Sequence, residues 1–109
     1  MSGSSNRFYG RSSAANPACE TLELFTQLSS PKEDVVDEIE IGDILEVVII
    51  TQNSFSTVQV LWRGRLAGGI ASPDIQVLQR CLSEGVIYLA EVMEKSGGEI
   101  RVRIFPYTA

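Results

Sequence analysis

The sequence predicts a mainly β fold of the α+β class, with one principal helix and a small, mostly antiparallel sheet curled into a barrel. Three observations predict it. Apolar residues alternate with period two in several short runs, the mark of strands with one buried face. Short turns rich in Gly, Ser and Asn separate these runs, which favours antiparallel neighbours. Only Ile75, Leu78, Cys81 and Leu82 repeat at helical spacing over more than one turn.

The elements follow in order. Met1 to Ala18 is rich in Ser, Gly and Asn, and its few apolar residues have no period, so residues 1–18 read as a flexible tail and 19–107 as a single barrel-like domain. Glu20 to Leu28 reads as a first strand, with Leu22, Leu24 and Thr26 on one face. Ser30, Pro31 and Glu33 have helix-start chemistry (cap, first-position proline, capping-box acid), so a short helix is expected at 32–38. Ile44 to Thr51 is almost continuously apolar and β-branched, which suits a central strand. Gln52-Asn53-Ser54 reads as a hairpin loop. Val58, Val60 and Trp62 then share one face of a strand running from Ser56 to Arg63.

Arg65 to Ala71 reads as a further strand, with Gly68-Gly69 as the bulge or bend that closes a small barrel. Ser72, Pro73 and Asp74 repeat the helix-start chemistry and open a helix at 73–84, stopped by Gly85 in a left-handed conformation. Val86 to Met93 alternates, with Tyr88, Ala90 and Val92 on one face. After a turn at Lys95 to Gly98, the last strand, Glu99 to Phe105, points Ile100, Val102 and Ile104 inward and Arg101 and Arg103 outward.

Composition narrows the function classes. The chain has 109 residues and no histidine, which removes His-activated nucleophiles and the commonest acid–base group near neutral pH. Asp34, Asp37, Glu38, Glu40, Asp43 and Glu46 cluster, but without the alternating ligands and central glycine of a calcium loop, so they read as a solvated acidic face. Gly64-Arg65-Leu66-Ala67-Gly68-Gly69 lacks the spacing of a phosphate-binding loop. Catalytic residues, metal ligands and cofactors are therefore not expected, and the chain reads as a non-enzyme. Cys19 and Cys81 lie far apart without metal spacing and read as two free thiols in a reducing compartment. With no apolar run near membrane length and no leader-like start, a soluble cytoplasmic protein is expected.

The net charge is −5, with three basic and nine acidic residues in 1–54 against six basic and five acidic in 55–109. That balance disfavours non-specific nucleic-acid binding but leaves room for a local basic patch. Arg63 and Arg65, and likewise Arg101 and Arg103, are spaced to share a strand face as paired guanidiniums. If the two pairs lie close, with Trp62, Tyr88 and Phe105 as stacking surface, they make a candidate ligand grip for phosphates or carboxylates. Asp34, Asp37, Glu38 and Glu40 are the candidate protein-interaction residues.

Gly42-Asp43-x-Leu45-x-Val47, Val58-x-Val60, Gly68-Gly69-Ile70, a helix, and Gly85-x-x-Tyr88-x-Ala90-x-Val92 together resemble the layout of HIRAN domains over roughly residues 41–104. The resemblance implies a small β-barrel holding single-stranded DNA ends, as an accessory to a helicase or nuclease. Gln52-Asn53-Ser54-Phe55 replaces the family's Asn-Pro-x-Asp segment, so no family binding residue is carried over.

The sequence thus favours a non-catalytic interaction module (adaptor, inhibitor or accessory subunit) that binds another protein. The alternative is a HIRAN-like single-stranded nucleic-acid binder using the arginines. A membrane role is not expected, and a homo-oligomer formed by strand-edge pairing or sheet packing is.

Overall fold

The computed structural model describes residues 17–107. Its elements are α1 (Pro17–Thr21), β1 (Leu24–Ser29), α2 (Glu33–Val36), β2 (Ile44–Gln52), β3 (Phe55–Trp62), β4 (Arg65–Ile70), α3 (Ile75–Ser83), β5 (Tyr88–Ser96) and β6 (Glu99–Pro106). All strand pairs are antiparallel, and the six strands close into a barrel in the order β1-β4-β3-β2-β5-β6.

Alternation builds the core. Leu45 and Val47 of β2, Val58, Val60 and Trp62 of β3, Tyr88, Ala90 and Val92 of β5, and Ile100, Val102 and Ile104 of β6 all point inward and are buried. Helices cover the two ends. The α2 segment buries Val35 and Val36 beside β4, and Arg65 at the start of β4 reaches its carboxylates. At the other end of β3, α3 buries Leu78 and Cys81, and the Gln79 side chain donates to the carbonyl of Ser56. The helix stops as expected: Gly85 has φ +99°, and the Val86 N–H reaches back to the carbonyl of Cys81.

Two bulges curve the sheet. One sits at Met93, where register shifts between Val92 and Glu94. The other leaves Ala67 of β4 as the extra residue between the pairs Val60–Gly68 and Leu61–Leu66. The bulge therefore lies one residue before Gly68-Gly69. The glycines have a different task, letting β1 approach. A Cβ on Gly68 would sit 3.1 Å from the Ser29 carbonyl oxygen, and one on Gly69 would sit 3.0 Å from Ser29 Oγ. The seam they permit is only two residue pairs long, Leu28–Ile70 and Ser29–Gly69.

Several expectations are corrected. Cys19 and Cys81 are not free thiols: they form a disulfide between α1 and α3, with Cα atoms 5.6 Å apart. A reducing compartment thereby loses its cysteine support, because disulfides persist where conditions are oxidising. Residues 17–21 are helical, so the first strand starts at Leu24, four residues later than its apolar residues suggested. The Ser30 capping box does not form. Ser30 has φ +47°, Lys32 occupies the cap position, and no side chain caps α2. Ser72 accepts the Asp74 N–H in a turn, and α3 begins at Ile75 with Asp74 at its cap position. The tail reading of residues 1–16 falls outside the described residues.

Candidate functional site

The arginines occupy two separate places. Arg63 is not in a strand. With Gly64 it forms the two-residue turn between β3 and β4, at φ +51° and +81°, and Trp62 pairs with Arg65 across it. The pairing of Arg63 and Arg65 on one strand face is therefore corrected, yet both guanidiniums gather on Trp62, with Cζ 4.7 Å and 5.9 Å from its ring centroid. Arg65 is also committed to α2, at 3.0 Å from Glu38 and 3.7 Å from Asp34. Trp62 itself is buried, and its indole N–H donates to Asp43 Oδ2 at 3.2 Å. The same oxygen accepts the Glu40 N–H, so Asp43 ties the turn before β2 to the end of β3. This tryptophan is a core residue with one polar contact.

Arg101 and Arg103 do project from the outer face of β6. Arg103 is clasped between strands, with Nη1 2.7 Å from Glu23 and Nη2 3.1 Å from Glu91, and its Cζ lies 4.2 Å from the Phe105 ring centroid. The hydrogen bonds it donates to Glu23 and then Glu91 hold its guanidinium pKa above the usual arginine value. Arg101 is exposed, faces Gln27 and Glu94 in register, and forms no ion pair among the described residues. Strand β1 lies between β4 and β6, so Arg65 on β4 and the arginines of β6 sit on strands that are not neighbours.

The acidic candidates are similarly divided. Asp34 and Glu38 hold Arg65, the carbonyl of Asp37 accepts from Lys95 Nζ at 3.3 Å, and Glu40 is exposed. Among the described residues, no group of three or more Asp, Glu or Cys side chains is arranged to hold a metal ion. No described helix is long and apolar enough to cross a membrane.

A larger feature went unrecognised in the sequence. The outer wall formed by β1, β6, β5 and β2 carries large apolar side chains interleaved with charged ones. Phe25 stands opposite Arg103, Arg103 opposite Glu91, and Glu91 opposite Ile44. In the next row Phe105 faces Leu89, and Leu89 faces Glu46. Beyond them the Tyr107 N–H donates to the Ile87 carbonyl. Phe25 is 63% exposed, Ile87 58%, Ile44 51% and Tyr107 49%, while Phe105 and Leu89 are half-buried. Ile41, in the turn before β2, is also 64% exposed. The signal lay in the outward positions of each alternating run, where polar residues are the rule for a solvated face.

Closure of the barrel bears on how this wall could be used. Every described strand has a neighbour on both sides, which limits edge pairing, one of the two expected routes to self-association, to the stretches where ladders are short, as on β2 beyond Glu46. No family model matches this chain, and neither a curated protein nor a solved structure matches it.

Proposed function

We propose that the chain is a non-catalytic module that binds another protein through the outer wall of β1, β6, β5 and β2. The observation that carries this reading is that Phe25, Ile44, Ile87, Leu89, Phe105 and Tyr107 share one outer face of a closed barrel, with Leu89 opposite Phe105, Tyr107 bonded to Ile87, and Arg103 and Glu91 between Phe25 and Ile44. A contiguous exposed apolar face is costly in water, and it commonly marks an interaction surface. Aromatic residues around a partly buried arginine are also the composition of interface hot spots. The lack of histidine supports a binding role over acid–base chemistry near neutral pH.

The alternative, a HIRAN-like barrel holding single-stranded nucleic acid on Arg63, Arg65, Arg101 and Arg103, has less support. Arg65 and Arg103 already spend their charge on four carboxylates, and a phosphate would have to displace them. Trp62 is buried, which removes it as a stacking platform.

Affinity capture from the native cell, run in parallel with wild type, Phe25→Ser/Ile87→Ser and Arg101→Ala/Arg103→Ala, tests the choice. The reading expects a partner held by wild type and lost from the Phe25/Ile87 variant. Retention of every partner by that variant, with nucleic acid lost on changing the arginines, would favour the alternative.

A further inference from the structure

We infer that the partner presents to this wall a basic amphipathic helix of about three turns. This rests on the protein-binding reading above and specifies its partner. The charge of the wall is one argument. Three carboxylates, Glu23, Glu46 and Glu91, stand among the apolar residues against one guanidinium, Arg103, which bonds two of them. Glu46 lies between Leu89 and Leu61 in register and forms no ion pair among the described residues. At the border Arg101 faces Glu94, which adds no net charge. A partner covering the apolar residues must bring a cation to Glu46, or it leaves that carboxylate buried and unpaired.

The same charge weighs against other occupants. A second copy would set like against like, since its wall carries the same excess of carboxylates, and nucleic acid would be repelled. Geometry then selects the element. Within the wall the β1–β6 and β5–β6 ladders are filled, so a contact there is made by side chains on a sheet face. Four strands span three inter-strand steps, about 14 Å. About nine residues of helix cover that length, and anchors at i, i+3, i+4 and i+7 lie along it.

Selection of displayed helical peptides of about four turns against the disulfide-bonded full chain tests the inference. The winners are then measured on wild type, on Phe25→Ser/Ile87→Ser and on Glu46→Lys, with melting curves confirming that each variant is folded. The expected winners carry apolar anchors at helical spacing flanked by Lys or Arg. They bind each variant at least tenfold more weakly than wild type, and they weaken as salt rises. Winners that are neutral or acidic, lose binding on Phe25→Ser/Ile87→Ser and ignore Glu46→Lys would overturn the basic-helix inference and leave the protein-binding reading standing. No winners at all would overturn the basic-helix inference, and winners indifferent to Phe25→Ser/Ile87→Ser would overturn both.

Discussion

Cys19 and Cys81, 62 positions apart in sequence, are joined by a disulfide that fastens α1 across the end of the barrel to α3. The Tyr88 hydroxyl donates to the Cys19 carbonyl at the same place, so strand, bridge and both helices meet there. A bridge closing a loop of this length restricts the unfolded chain strongly, by about 4 kcal/mol in the chain-entropy account. Reduction, or Cys19→Ser/Cys81→Ser, should lower unfolding free energy by about that amount in denaturant titrations. Equal midpoints with and without reductant would show that the bridge contributes nothing.

Trp62 closes the opposite end of β3 from α3. Replacing it with Ala empties a large core site and should cost about 3–5 kcal/mol. Trp62→Phe keeps most of the volume but leaves Asp43 without its indole donor, and should cost about 1 kcal/mol. Denaturant midpoints of the two variants give the comparison. Little change on Trp62→Ala would mean that the ring is not core.

Burial raises the pKa of the Tyr88 phenol above its ordinary value of 10.0. Below that value the phenol is neutral whether the chain is folded or not, so it adds no pH dependence. Above it the unfolded chain releases the proton while the folded one still holds it, and stability falls as pH rises. A pH series of unfolding midpoints should therefore decline above about pH 10, and the decline should be shallower in Tyr88→Phe.

Asn53 and Ser54 turn the β2–β3 hairpin with φ +48° and +70°. Ser54 is neither glycine nor asparagine, so its backbone is held in a conformation that L residues avoid. Ser54→Gly should raise stability by about 0.5–1 kcal/mol, read as a higher thermal midpoint. A lower midpoint would mean that the serine makes a compensating contact in the folded hairpin.

Much of the barrel was legible because alternation is a local signal. Val58, Val60 and Trp62, or Ile100, Val102 and Ile104, declare their buried face within a few residues. The helix at Ile75 to Ser83 was legible for the same reason. Helix starts were harder. Ser30 and Ser72 belong to turns just before their helices, and the same residue types serve turns and caps alike. The disulfide had no local trace, since Cys19 and Cys81 meet only once the barrel is closed and its ends are covered. The arginines misled for a similar reason. Their spacing showed which ones could share a face, while the carboxylates that hold them come from distant positions: Glu23 and Glu91 for Arg103, Asp34 and Glu38 for Arg65. The apolar wall escaped notice because Phe25, Ile44, Ile87 and Phe105 are each unremarkable alone, and cross-strand register alone gathers them.

The wall itself admits a direct test. Side-chain resonances of Phe25, Phe105 and Tyr107, followed by NMR while a captured partner or selected peptide is added, report contact at this face without any substitution. The account predicts saturable shifts at these three rings and at the methyls of Ile44, Ile87 and Leu89, with the β3–β4 turn at Arg63 unaffected. Shifts confined to Arg63, Arg65 and the α2 carboxylates, with the aromatic rings silent, would contradict it.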